Sequence, residues 1–313
     1  MSRQRTYLDL VNEVDSFPSP TLSPIQHAER TSNLHLFTAG SHTLGYVLPS
    51  VVAALQEANE PHWTITPTSI SIEGDTVEKR SKNMAATLER WRANGKFQVC
   101  SKGWRNELYS VYSPTGVLYL RMERSGTPLF GLVHMTAYVP ATETQPLRIW
   151  TPRRNITKST YGGMLDNTVA GGISSGMSVF DTLVKESEEE ASLPAELVSK
   201  AKAVGVVSYL YVRDSRAGGE TGLLQPEVQY VYDLEVGEDV VPAPCDDEVQ
   251  DFHLMPLDEV KEELAKGSFK PNCAYVLIDF FVRHGIITPA NEPNYIEIVS
   301  RLHRELEFPL RAE

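Results

Sequence analysis

The sequence predicts a mixed α/β (α+β) protein of two domains, a smaller mixed N-terminal domain followed by a sheet with helices packed on it. Three observations carry this. Runs rich in valine and tyrosine at 203–212 (AVGVVSYLYV) and 228–236 (VQYVYDLEV) have the composition of strands. Segments 76–94, 257–266 and 272–284 read as helices between and beyond them. The pattern changes near residue 125, shortly before the apolar run LFGLVHMTAYV at 129–139. A length of 313 residues suits two domains at roughly 150 residues each. The expected division is 1–125, 126–290 and a C-terminal helix or tail at 291–313.

Each element has its own signal. The Pro/Ser-rich stretch 17–24 (FPSPTLSP) reads as an extended arm or loop leading into the first folded element. Residues 45–58 suit a short helix beginning near Pro49. In 76–94, Met84, Leu88 and Trp91 recur at i, i+4 and i+7, which is one buried helical face. Residues 109–120 form a hairpin pattern with Ser-Pro-Thr-Gly as its turn. LRIWTPRR follows a polar, Pro-flanked turn at 140–146. Residues 214–227 carry Gly218, Gly219 and Gly222 and read as a long loop, and Phe252-His-Leu-Met is strand-like.

Charge and cysteine usage exclude several classes. Lys plus Arg number 29 against 41 Asp plus Glu, a net charge of −12. That balance argues against nucleic-acid polymers or anionic membranes as partners, while permitting a local acidic site for divalent cations. No stretch approaches the ~18 apolar residues of a membrane span, and the N-terminus lacks the apolar run of a signal peptide. Cys100, Cys245 and Cys273 form no Cys-x-x-Cys pair, so a reduced compartment is the simpler reading. The cytoplasm is the expected location, with nucleus and organelles left open.

The segment that carries chemistry is 165–194, LDNTVAGGISSGMSVFDTLVKESEEEASLP. A glycine-rich loop gives way to a helix with Ser178 as N-cap and Asp181 at the capping-box spacing. Phe180, Val184, Ser187 and Ala191 would face the sheet. Glu186, Glu189 and Glu190, at i, i+3 and i+4, lie together on a neighbouring face. Like charges at this spacing repel by a few tenths of a kcal/mol per pair. A hard divalent cation such as Mg²⁺ would offset that repulsion, whereas the plain alternative is an acidic face in water.

This stretch resembles the signature of the Nudix hydrolases, G-x5-E-x7-R-E-U-x-E-E-x-G-U, with U a bulky aliphatic residue. Gly171 opens the motif, Lys185-Glu186 takes the Arg-Glu place, Glu189-Glu190 the Glu-Glu place, and Leu193 the last aliphatic position. Met177 stands where the motif has Glu, Lys185 replaces Arg, Ser187 replaces the aliphatic residue and Ser192 replaces Gly. Asp181, four residues before Lys185, offers that lysine a substitute partner. Beyond the motif, residues 103–109 (GWRNELY), 128–131 (PLFG) and 161–172 (YGGMLDNTVAGG) are similar to a eukaryotic Nudix subgroup described as thiamin pyrophosphokinase-related, in which an N-terminal domain precedes the Nudix domain.

The resemblance implies a Nudix α/β/α sandwich with a mixed sheet. It implies Mg²⁺ or Mn²⁺ held by Glu186, Glu189 and Glu190 with the Gly171 carbonyl. It implies hydrolysis of a small organic diphosphate, foremost thiamin diphosphate or its oxidised analogues, to monophosphate and phosphate. A nucleotide-sugar or dinucleotide hydrolase, or a Nudix-fold sensor that binds without cleaving, are the alternatives.

A general base is then required, and Glu248 is the candidate, with Glu227 its rival. Arg153, Arg154 and Lys158 are candidates for phosphate contacts. Trp104, Tyr161 and Tyr209 could wall a ring, and Asp166 either touches ligand or fixes the loop. The N-terminal part would close over the site, supply a substrate wall or mediate homodimerisation. Two other motifs are set aside. Gly172-Ile-Ser-Ser-Gly176 imitates a nucleophile elbow, but Asp166 to Ala170 makes a poor strand and the helix starts too late. The glycine spacing of 171–176 imitates a phosphate loop, but Met177 replaces its lysine.

Overall fold

The structure, a computed structural model, describes residues 3–139, 141–144 and 147–310. The chain begins with helix α1 (Tyr7–Val14), started by a reciprocal cap between Thr6 and Asp9. The proline-rich arm therefore follows a first helix rather than leading into one. After it come α2 (Pro24–Thr31), β1 (His35–Ala39), β2 (His42–Val47), α3 (Pro49–Ala58), β3 (Trp63–Ile65) and β4 (Ser69–Ile72). The four strands form a sheet in the order β2-β1-β4-β3.

Helix α4 (Val77–Asn94) is capped by Thr76 and buries Met84, Leu88 and Trp91, the expected face. Short helix α5 (Gln98–Ser101) leads to the hairpin of β5 (Leu108–Tyr112) and β6 (Leu118–Glu123). This domain closes over Phe37, Trp63, Trp91 and Phe130, with the Trp63 and Phe130 rings stacked at 5.4 Å.

The apolar run at 129–139 is divided. Arg124–Phe130 is a 3-10 turn ending at Gly131 in the left-handed region, and strand β7 (His134–Val139) starts only beyond it. Of the expected turn at 140–146, Pro140, Gln145 and Pro146 lie outside the described residues, and the segment between them is strand β8 (Ala141–Thr144). Then follow β9 (Leu147–Arg154), β10 (Val169–Gly172), α6 (Val179–Ala191), α7 (Ala195–Val198), β11 (Lys202–Val212), β12 (Leu224–Glu235), β13 (Val249–Pro256), α8 (Leu257–Lys266), α9 (Pro271–Arg283) and α10 (Tyr295–Leu302). β12 begins before residue 228, so the glycine-rich loop is shorter than its composition suggests.

The large sheet runs β10-β7-β12-β8-β9-β13, with β11 paired to β12. It is mixed: β7 is parallel to β12 and antiparallel to β10. Helix α6 covers one face, where Leu183 and Ala191 meet Ala137 and Val139. Helices α1, α9 and α10 cover the other, where Leu10, Phe280 and Ile298 meet Tyr209 and Val231. The result is the expected α/β/α sandwich preceded by a mixed α+β domain. Its outer layer includes α1, drawn from the start of the chain. Asp15, just after α1, is buried with Arg304 (2.9 Å) and bonded by Arg301 (3.1 Å), so the two ends of the chain are tied together.

Candidate active site

Two adjacent glycines set the site. In the β10–β7 ladder Gly171 lies opposite Ala137 and Gly172 opposite Thr136, so they face opposite sides of the sheet. A Cβ on Gly171 would sit 2.1 Å from Cγ of Glu186, and one on Gly172 would sit 1.7 Å from the Tyr109 hydroxyl. Glycine is what lets helix α6 approach on one side and the N-terminal domain on the other.

The start of α6 follows the sequence: Ser178 Oγ accepts from Asp181 N at 3.0 Å and donates to Asp181 Oδ2 at 2.7 Å. With Asp181 engaged there, Lys185 turns the other way. Its Nζ lies 2.7 Å from Glu189 and 3.2 Å from Glu186, so the expected Asp181 partner is replaced by the two motif glutamates. The buried face is also rotated. Val179, Leu183, Ser187 and Ala191 are buried, while Phe180 is 38% exposed. The helix ends at Ser192 in the left-handed region (φ +55), its Oγ donating to the Ala243 carbonyl at 2.9 Å.

Glu190 is turned inward and accepts from Ala170 N at 3.0 Å. Burial pushes its carboxyl well above the usual range; the Ala170 N–H opposes this, and the nearby Asp166, Glu186 and Glu248 add to it. Burial also raises Glu186, against the pull of Lys185. Lys185 itself is pushed up to about 12: partial burial works against its charge, and the bonds to Glu189 and Glu186 prevail. Among the described residues no three His, Cys, Asp or Glu side chains gather as an ion-holding cluster. The donor set nonetheless fits a hard cation. Burial disfavours the charged carboxylates of Glu186 and Glu190, which a bound cation would offset, and the Lys185 ammonium bridges Glu186 and Glu189.

The residues around Glu190 are fastened to one another. Asp166 is buried against Arg154 Nη1 (2.5 Å), Lys270 Nζ (3.9 Å) and Cys273 Sγ (2.5 Å). Burial alone would raise its carboxyl, but Lys270 and Arg154 hold it well below the usual range. Lys158 pairs with Glu248 at 2.5 Å, and Arg153 donates to the Gly163 carbonyl at 3.0 Å. The three cations expected at phosphates thus already have partners, and Asp166 is held among Arg154, Lys270 and Cys273. Trp104 donates to Asn106 at 2.9 Å beneath the Arg92 guanidinium and packs beside the N-terminal core. Ser174 donates to Glu107, and His253 pairs with Asp251, so no serine nucleophile is assembled.

A cavity of about 430 Å³ opens between the N-terminal domain and the sheet, lined among others by Lys102, Arg105, Tyr161, Tyr209, Arg213 and Glu227. Lys102 approaches Gln98 at 3.5 Å, Arg105 approaches Ser159 at 3.4 Å, and Arg213 donates to Gln225 at 2.7 Å. Arg213 also donates to the Ala217 and Gly218 carbonyls, and among the described residues none of these three cations is ion-paired.

Glu227 is buried and accepts from Thr136 (3.2 Å), Gln225 (3.1 Å) and Gln229 (2.9 Å). His134 in the same wall is pushed down to about 3 by burial and by Arg124 and Arg213, so it stays neutral. Arg124 joins the cavity to α6: it lines the wall, pairs with Glu107 at 2.8 Å and lies within the field of Glu186. Sequence reasoning missed Lys102, Arg105 and Arg213 because only the fold separates them from ordinary surface cations.

A glycine-led loop feeds a carboxylate helix on a mixed sheet, the arrangement that the resemblance implies. Residues 133–274 match the family model described as NUDIX domain. Residues 9–134 match a separate model described as a domain of unknown function, DUF4743. The chain is 44% identical over 217 residues to Uncharacterized protein YJR142W of Saccharomyces cerevisiae, covering 66% of this chain and 63% of that protein. It is 42% identical over 206 residues to Nudix hydrolase 20, chloroplastic, of Arabidopsis thaliana, covering 64% of this chain and 52% of that protein. With Nudix hydrolase 24, chloroplastic, of the same plant it shares 41% over 234 residues, covering 73% and 60%. The chain therefore spans less than two thirds of the length of these relatives. A solved structure of DR0079 from Deinococcus radiodurans aligns with a TM-score of 0.42 at 16% identity, over 55% of this chain and 98% of that one. Among the described residues no helix is long and apolar enough to cross a membrane.

Proposed function

We propose that the chain is a divalent-metal-dependent pyrophosphohydrolase that cleaves a small organic diphosphate, foremost thiamin diphosphate or its oxidised analogues, to monophosphate and phosphate. The observation that carries this reading is the junction at Arg124, where the carboxylate helix meets a cationic, tyrosine-walled cavity. Glu186, Glu189 and Glu190 would hold Mg²⁺ or Mn²⁺, with the Gly171 carbonyl beside them. When bound, such an ion neutralises diphosphate charge and makes a water more acidic.

The chain's own groups do the rest. Lys102, Arg105 and Arg213 receive the anionic end of the substrate without first breaking an ion pair. Tyr161 and Tyr209 offer flat walls to a ring. Glu248, kept ionised by Lys158 against the effect of burial, accepts the proton of the attacking water, and the buried carboxylate of Glu227 faces the substrate. The ring preference rests on the similarity of residues 103–109, 128–131 and 161–172 to the thiamin-related subgroup. A reducing compartment, foremost the cytoplasm, is the location that three cysteines without a disulfide support.

The test is hydrolysis with Mg²⁺ or Mn²⁺, read as phosphate release from thiamin diphosphate and its oxidised analogues and as nucleoside monophosphate formation from a nucleotide sugar. Wild type should release phosphate, with Glu189→Gln and Glu248→Gln at least ~100-fold slower. A second reading, a sensor that binds without cleaving, draws on the Lys185 bridge between Glu186 and Glu189. It prevails if wild type and both variants bind diphosphates and are equally inert.

A further inference from the structure

The loop 173–177 between β10 and α6 is fastened largely from the other domain. Within its own sheet, Ile173 N donates to the Met135 carbonyl at 2.9 Å. From the β5–β6 hairpin, the Leu108 carbonyl accepts from Ser175 N at 2.7 Å. Ser110 Oγ and Arg121 Nε reach Ser175 Oγ at 2.7 and 3.1 Å. Ser174 Oγ donates to Glu107 Oε1 at 2.7 Å, and the other oxygen of Glu107 accepts from Arg124 Nη1 at 2.8 Å.

We infer that Glu107 is a positioning residue and that the hairpin is a clamp on this loop. One carboxylate spends its two oxygens on two elements, the loop through Ser174 and the Arg124 side chain that stands in the field of Glu186. The loop needs such a restraint. It follows Gly171 and Gly172 of β10 and contains Gly176 at φ +92, and glycine backbone has the most conformational freedom to lose. The clamp thereby fixes where the chain enters α6 and where Gly171 meets Glu186. Its kinetic consequence rests on the hydrolase reading; its structural consequence does not.

The experiment compares Ser174→Ala, Ser174→Thr and Glu107→Gln with the full-length wild type. Ser174→Ala removes the loop-side bond and leaves the Glu107–Arg124 pair intact, while Ser174→Thr keeps the hydroxyl. Amide hydrogen exchange across residues 172–177 should be about fivefold faster in Ser174→Ala, as loss of one hydrogen bond implies, and at the wild-type rate in Ser174→Thr. On whichever diphosphate is turned over, kcat should fall in Ser174→Ala at constant KM and recover in Ser174→Thr. Unchanged loop exchange in both Ser174→Ala and Glu107→Gln overturns the clamp. Faster exchange spread evenly over the chain also overturns it, since that is ordinary destabilisation. Faster loop exchange with kcat intact overturns the positioning role. If wild type cleaves no diphosphate, the hydrolase reading fails while exchange still decides the clamp.

Discussion

His134 shows how one side chain couples the cavity to stability. In the fold it is buried beside Arg124 and Arg213, with Thr127 as its hydrogen-bond partner, and its pKa is pushed down to about 3. In the unfolded chain it takes up a proton near pH 6.5. Its contribution to stability is therefore fully present above that pH and is lost as pH falls from about 6.5 toward 3. Urea unfolding as a function of pH should show a shallower acid slope for His134→Gln than for wild type. Identical slopes would refute the assignment. At this scale the sequence was informative about identity and silent about pairing. The spacing of Glu186, Glu189 and Glu190 is legible, but the pairing of Lys185 with Glu186 and Glu189, while Asp181 turns to Ser178, is not.

Helix α6 is the element most fully legible, since its cap, period and acidic stripe all lie within one short segment. Its departure is rotational. Val179 and Leu183 take the buried positions that Phe180 and Val184 were expected to fill, with Glu186 packed against Gly171 and Glu190 bonded to Ala170 N on the polar side. Ser192 ends the helix in a conformation that costs a non-glycine residue roughly 1 kcal/mol. Ser192→Gly relieves that strain and gives up the bond to Ala243, so chemical denaturation should find stability raised by no more than about 1 kcal/mol. A loss above ~1 kcal/mol would mean that the hydrogen bond outweighs the strain. Strands β1 to β4 escaped notice for a different reason. Each has three to six residues, too few for alternation to rise above composition.

Across the whole molecule, the change of composition near residue 125 is legible, but the path of the chain around it is not. Helix α1 belongs by sequence to the first domain and by packing to the second, where Leu10, Val11 and Val14 share a core with Phe280, Ile298 and Leu302. Deleting residues 1–16 would uncover that face and remove Asp15 from Arg304. Burial of the three apolar side chains alone contributes about 5 kcal/mol, so the truncated protein should unfold at markedly lower urea or fail to fold. An unchanged midpoint would show α1 to be an ornament. The cavity was equally hidden. Lys102 and Arg105 reach it from one domain and Arg213 from the other, a convergence only the tertiary path creates.

The adjacent glycines at 171 and 172 give this arrangement its tolerance. A strand of four residues is gripped on one face by the carboxylate helix and on the other by a tyrosine from the neighbouring domain, with room for a hydrogen atom on either side. Strand β10 thus works as a shim between two machined parts. Any misfit in either domain is transmitted to Glu186 at full size, because nothing compressible lies between them.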